Sequence, residues 1–161
     1  MVSEVKIEGP FFGQSAVCEP ILRSLPEWFA IEDAVQNYLQ QIDILPTWLA
    51  LTSERAVGFF TVKLHFERAA ELIVLAVRPE WHRQGIGRTL LAAVETYLRD
   101  RSVEFLQVKT LSEGHPDPGY AKTRAFYTHA GFAPLEEFPT LWSEDQPCLQ
   151  MIKYLGCPDI F

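Results

Sequence analysis

Residues 78–91 read "RPEWHRQGIGRTLL", and the way this stretch is read decides the fold. An apolar run, "LIVLAV" (72–77), lies before it, and apolar residues at helical spacing follow it. Pro79 cannot continue a sheet ladder and biases Arg78 towards an extended conformation. A strand therefore ends here, and "HRQGIGRTLL" (82–91) starts a helix. The first N–H groups of a helix have no internal partner, and the macrodipole places about half a positive charge beside them. Gly85 and Gly87 let the backbone approach a ligand closely and adopt positive φ. Such a junction is an anion site made of main chain, and Arg83 and Arg88 reinforce it with charge-assisted hydrogen bonds. The spacing is neither a Walker A loop nor a complete GxGxxG fingerprint. Taken alone, it also reads as a plain glycine-bearing turn.

Outward from this junction the chain alternates strands and helices. "VKIEG" (5–9) reads as an edge strand. "SAVCEPILRSL" (15–25) and "EDAVQNYLQQI" (32–42) carry helical spacing, with Pro26 as a break between them. "TWLALTS" (47–53), "AVGFFTVKLHF" (56–66) and "AAELIVLAV" (69–77) read as strands. The last shows no alternation from Leu72 to Val77, which predicts cover on both faces and a central place in its sheet. Ile86, Leu90, Val94 and Leu98 form one helical stripe, which Leu91 widens. "VEFLQVKTL" (103–111) is a strand, "HPDPG" (115–119) a turn-rich loop, and "YAKTRAFYTHAG" (120–131) a helix closed by Gly131 at positive φ. "FAPLEEF" (132–138) and "CLQMIKYL" (148–155) supply the last strands. The expected class is α/β (α+β), with one mixed central sheet and helices on both faces.

Composition narrows the function. The chain has 161 residues, enough for a single domain with a real core. It is 48% hydrophobic and 22% charged, as soluble globular domains are. No apolar run is long enough to span a bilayer, and the first ten residues show no signal peptide. Three cysteines (Cys18, Cys148 and Cys157) without a CxxC pair argue against a disulfide framework or zinc and suit a cytoplasmic setting. A net charge of −7 disfavours nucleic acid. It is compatible with a cationic ligand, and equally with acidity kept for solubility.

"AVRPEWHRQGIGRTLL" (76–91) resembles the acetyl-CoA-binding signature of the GNAT acetyltransferase superfamily. In that signature Arg or Gln is followed, after two residues, by Gly-x-Gly or Gly-x-Ala. "RAFYTHAGF" (124–132) resembles the second signature of that superfamily, a helix ending in Tyr-x-x-x-Gly-Phe. The two motifs stand in the family's order, and the strand–helix series fits nearly the whole chain. The resemblance implies the GNAT fold, with a mostly antiparallel sheet of six to seven strands, in one domain over residues 1–161. Two positions depart from the pattern. His82 stands where the signature has Arg or Gln, and Tyr120 and Thr123 stand where many relatives have Asn and Ala.

The resemblance also implies roles. Arg83, Gln84, Gly85, Ile86, Gly87, Arg88 and Thr89 would bind the pyrophosphate of acetyl-CoA, with Arg124 on the second motif's helix joining the cofactor site. Leu75 and Val77 would bond the pantetheine arm through their main chains, because the fourth strand splays from the fifth in relatives. Tyr127 would protonate the departing sulfur, or else it is a core aromatic. Glu71, on the same side of its strand as Ile73, Leu75 and Val77, is the candidate general base acting through water, or a solvated residue at a strand start. His115 is an alternative base or substrate contact, set in a loop whose prolines make simple rigidity the other reading. Trp28 is a candidate wall of the acceptor site, or with Phe29 an anchor of the second helix. Glu27, Glu32, Asp33 and Tyr38 surround it in sequence. His65 and His129 read as surface or helix-end residues, and no metal-like cluster is visible.

The expected function is acetyl-CoA-dependent N-acetylation of a primary amine on a small molecule or peptide, by direct attack in a ternary complex. Transfer of a longer acyl group and a non-catalytic acyl-CoA-binding module are the alternatives. No metal, nucleic-acid or membrane partner is expected, and the state is monomer or homodimer.

Overall fold

The polar pair Glu67–Arg68 turns the chain between two strands, β3 (Ala56–Phe66) and β4 (Ala69–Val77), whose bounds match the residue pattern. The computed structural model describes residues 4–156, so Cys157 lies outside the described residues. Around this pair the order is β1 (Lys6–Phe11), α1 (Ser15–Arg23), α2 (Glu32–Ile44), β2 (Thr47–Leu51), β3, β4, α3 (Ile86–Asp100), β5 (Phe105–Leu111), α4 (Pro118–His129), β6 (Ala133–Ser143) and β7 (Gln146–Tyr154). Seven strands form one sheet in the order β1-β2-β3-β4-β5-β7-β6. β1–β2, β2–β3, β5–β7 and β6–β7 pair antiparallel, and β4 pairs parallel with β5 from Ala69↔Phe105 to Leu72↔Val108. The mixed, mostly antiparallel sheet expected from the sequence is therefore present.

Two compact units share the chain. The first takes the described residues up to Lys63 together with Ile73–Tyr97. Its core joins α1 and α2 to the sheet: Cys18, Ile21, Leu22, Val35, Leu39 and Ile42 are buried with Leu49, Phe59, Val74 and Ala76. The next residue along each strand points to the opposite face. On that face Trp48 of β2 meets Tyr97 of α3 edge-on at 4.8 Å, and Gly58 of β3 lies against Val77 and Ile86. Helices thus lie on both faces of β2 and β3. The expected α3 stripe of Ile86, Leu90, Leu91, Val94 and Leu98 is buried throughout.

The second unit takes Leu64–Leu72 and the described residues from Leu98 onward. β5 runs beside β7 from Phe105↔Tyr154 to Leu111↔Cys148. α4 begins two residues before the expected start because the Asp117 side chain accepts the Gly119 amide at 2.7 Å and Pro118 suits a first helical position. It ends as expected, with Gly131 at φ +100 and the Phe132 amide bonded to the Tyr127 carbonyl at 3.0 Å. β6 extends past Phe138 to Ser143 as an almost wholly exposed edge strand, a position that tolerates Pro134 and Pro139.

One expectation is corrected. The unbroken apolar run of β4 predicts cover on both faces, but burial alternates along the strand. Ala70, Leu72, Val74 and Ala76 are buried, whereas Glu71, Ile73, Leu75 and Val77 are half-buried. The strand is central in the sheet, yet packing is complete on one side only, so apolar residues on the other side form accessible surface. The core prediction follows from Phe59, a large side chain with no exposed area. Phe59→Ala is expected to cost about 3–5 kcal/mol, read as a lower urea midpoint at unchanged slope.

Candidate active site

The glycine junction is built within the first unit. β4 stops at Val77, and the Arg78 amide donates to the Val57 carbonyl at 2.8 Å while its Nε donates to the Ala56 carbonyl at 3.1 Å. A single 3-10 turn, Pro79–Trp81, redirects the chain. Gln84 Nε2 donates back to the Glu80 carbonyl at 3.2 Å, tightening this turn. Gly85 adopts φ +79, as its position between strand and helix requires. Arg83 also lies in the left-handed region, at φ 61, a feature no sequence signal announces because only small polar residues mark that region.

The first helical bond of α3 runs from the Thr89 amide to the Gly85 carbonyl at 3.0 Å, and the Thr89 hydroxyl donates to the same oxygen at 2.8 Å. The amides of Ile86, Gly87 and Arg88 precede that bond and belong to the helix's positive end. A Cβ built on Gly85 would meet no atom within 4 Å, so the space beside this residue is open. Arg83 and Arg88 are exposed at its rim. Gly58, which sequence reasoning did not single out, shapes the site from below. A Cβ there would sit 3.2 Å from both the Ala76 carbonyl oxygen and Val77 Cγ2, and 3.4 Å from Ile86 Cγ2. A glycine inside an otherwise apolar strand is the signal that marks such a close approach.

His82, the departure from the family signature, hydrogen-bonds the Val77 carbonyl through Nε2 at 2.7 Å. A carbonyl oxygen only accepts, so Nε2 carries the hydrogen. Its ring meets the edge of Trp28 at 6.1 Å. Trp28 also packs with Phe29 and Tyr38 on the α1–α2 core, which is the anchoring role weighed for it, and it thereby stands beside the loop. Among the nearby acids, Glu32 is held by Arg23 at 2.5 and 2.8 Å, which keeps its carboxyl down at about 2.

The second unit carries the other motif. Tyr127 is buried, the one such residue of α4, with its ring edge-on to Phe126 at 5.5 Å and Phe132 at 5.4 Å. Phe126 itself is half-buried. Arg124 donates to the Leu111 carbonyl at 2.8 Å and so fixes the end of β5. His115 accepts the Asp117 amide at Nδ1 over 3.3 Å and stands edge-on to Tyr120 at 6.3 Å. Together with the Asp117 cap these bonds make the 115–119 loop a braced turn.

Glu71 is not a solvated residue at a strand start. Its carboxylate bridges His65 Nε2 at 2.7 Å and Lys109 Nζ at 3.1 Å. His65, expected at the surface, is exposed and is also hydrogen-bonded to Glu71. The short Glu67–Arg68 turn lays the end of β3 beside the start of β4, but the pairing of these side chains also depends on the register of the strands. Leu75 and Val77 stand further along the same half-buried side of β4.

Chemistry through a thiol is disfavoured at the described cysteines. Burial, with Asp43 adding to it, pushes the Cys18 thiol up to about 12, and burial also raises Cys148. Among the described residues, no group of three or more His, Cys, Asp or Glu is placed to hold a metal, and no helix is long and apolar enough to cross a membrane.

Comparison with known proteins gives these features a context. An uncharacterized N-acetyltransferase of Chlorobaculum tepidum is 32% identical over 108 residues, covering 65% of this chain; the chain spans 57% of that relative's length. A GNAT-family protein of Desulfovibrio desulfuricans superimposes with a TM-score of 0.83 at 18% identity, covering 95% of this chain and 100% of its own. An aminoglycoside 6'-N-acetyltransferase in complex with coenzyme A superimposes with a TM-score of 0.74 at 17% identity, covering 96% and 99%. At these identities the structural likeness shows the fold. The family model for the Acetyltransferase (GNAT) family matches residues 17–132, which include both motifs and both strand–helix junctions around them. The chain belongs to the GNAT acetyltransferase family.

Proposed function

We propose that the protein transfers an acetyl group from acetyl-CoA to a primary amine of a small molecule or peptide, by direct attack with both substrates bound. The observation that carries this reading is the open loop at the N-terminus of α3, with Gly85 at φ +79 and room for a Cβ that glycine lacks. A diphosphate fits such a cradle because successive amides and the helix dipole favour negative charge. Arg83 and Arg88, at its rim in a chain of net charge −7, give the anion a local cationic setting. The coenzyme A named with the aminoglycoside N-acetyltransferase supports the choice of ligand. The family match runs through both units, which supports reading 1–161 as one catalytic domain. The two buried thiols suit a reducing cytoplasm.

Acetyl-CoA supplies the activated carbonyl. The chain's part is to hold, orient and move protons. Ile86, Gly87 and Arg88 amides, with Arg83, Gln84 and Thr89 around them, hold the phosphates in this reading. Main-chain groups of Leu75 and Val77 orient the pantetheine arm as an added strand does. Tyr127 donates its phenolic proton to the departing thiolate, since a phenolic O–H is a hydrogen-bond donor. Burial against Phe126 and Phe132 holds that phenol in one place. Arg124 keeps the end of β5 in position. His115, braced within its loop, and Trp28, beside His82, serve the acceptor side.

Two experiments test this. Gly85→Val places a β-branched residue at positive φ and fills the cradle; it is expected to abolish acetyl-CoA binding by isothermal calorimetry in a protein whose circular dichroism is unchanged. Normal affinity in that variant rules the loop out. Tyr127→Phe is expected to lower turnover more than tenfold while acetyl-CoA affinity stays within a few-fold. Tight acetyl-CoA binding without acetylation of any amine by the wild type would favour an acyl-CoA sensor.

A further inference from the structure

We propose that His65, oriented by Glu71, is the base that removes the proton from the acceptor ammonium. The assignment rests on reading the chain as an amine acetyltransferase. It differs from the simpler expectation, in which Glu71 itself is the base.

Both oxygens of Glu71 are engaged, Oε1 with His65 Nε2 at 2.7 Å and Oε2 with Lys109 Nζ at 3.1 Å. Each oxygen thus already serves a neighbouring side chain. The carboxylate is therefore an anchor. Its side chain is 12% exposed, whereas that of His65 is 30% exposed, so the imidazole is the member of the pair a substrate can reach. His65 also lines a cavity of about 500 Å³ together with Leu64, Phe66 and Arg101.

The tautomer follows from the partner. An ionised carboxylate only accepts, so Nε2 carries the hydrogen and Nδ1 keeps its lone pair. Imidazole is the side chain whose ordinary titration straddles neutrality, as a base working on an ammonium needs. In the step, an N–H bond of the ammonium breaks and its electron pair stays on the amine nitrogen, while an Nδ1–H bond forms. The positive charge moves to the imidazolium, where the Glu71 carboxylate lies against it. The charged and titratable groups around His65 are Glu71 on β4, Lys109 on β5 across Glu71, and Glu67, Arg68 and Arg101 at the cavity. Arg68 is paired with Glu104, and the Cys148 thiol on β7 feels both Lys109 and Glu71. Glu71 is thus a positioning residue, and His65 the group placed to touch the amine.

The test combines spectroscopy with kinetics on the full chain. 15N NMR of the imidazoles, with His65→Asn used for assignment, is expected to show Nε2–H and a bare Nδ1 at His65. An Nδ1–H tautomer in the wild type overturns the assignment without reference to activity. For kinetics, acetyl-CoA is offered with spermidine, tryptamine, glucosamine and a peptide with a free N-terminus, and products are read by mass spectrometry. On the amine acetylated, His65→Asn is expected to lose roughly a hundredfold in kcat/KM and the acid limb of its pH profile. Glu71→Gln is expected to lose about tenfold and keep a displaced limb, since an amide oxygen still accepts from Nε2–H. The reverse order, with His65→Asn within twofold of wild type and Glu71→Gln inactive, overturns the proposal. Calorimetry with acetyl-CoA separates the two levels of inference: equal affinity in wild type and both variants is expected, and no binding by the wild type overturns the transferase reading and this assignment with it.

Discussion

The absence of a side chain at Gly58 is the constraint on which the anion loop depends. A Cβ at that point would press on the Ala76 carbonyl, Val77 and Ile86 together. The last residues of β4 and the first residue of α3 therefore both approach β3 at the one place where nothing projects. The Arg78 amide, bonded to the Val57 carbonyl, ties down the other end of the connection. With both ends fixed, the residues between them have few conformations left, and the left-handed values at Arg83 and Gly85 satisfy the short span. An anion site made of amides works only if the amides do not have to be ordered when the ligand arrives. Here the packing beneath the loop does that ordering in advance.

Much of this was legible in the sequence, because its parts leave periodic traces. β3 and β4 have the expected bounds, since a polar pair interrupts two long β-rich runs. α3 shows its buried stripe because a helix lying on a sheet must repeat its apolar residues. The two family motifs located the loop and Tyr127. What stayed hidden was relational. Nothing in the residue pattern says that the odd positions of β4 are covered only in part, because Ile73, Leu75 and Val77 are as apolar as their buried neighbours. The left-handed Arg83 gives no compositional cue. The Glu71–His65–Lys109 bridge needed three strands in register, and periodicity reports on one strand at a time.

The departure at position 82 has a structural counterpart. The imidazole bonds the Val77 carbonyl and leans on the edge of Trp28, so the loop is tied at once to the strand it leaves and to the residues that follow α1. Trp28 in turn belongs to the core of α1 and α2. One aromatic contact thereby connects the polar stretch 78–85 to buried apolar packing, beside the hydrogen bonds the stretch makes itself.

The edge strand β6 has a consequence of a different kind. It exposes Leu135, Leu141 and Trp142 along eleven residues at the border of the sheet, an invitation to pair with a strand from another chain. Pro134 and Pro139 each delete a donor from that border, and Glu136 and Glu137 put like charges between them. An incoming strand would find its ladder broken every few residues and its carboxylates opposed. The border that exposes Leu135, Leu141 and Trp142 is thus poorly suited to seed fibrils.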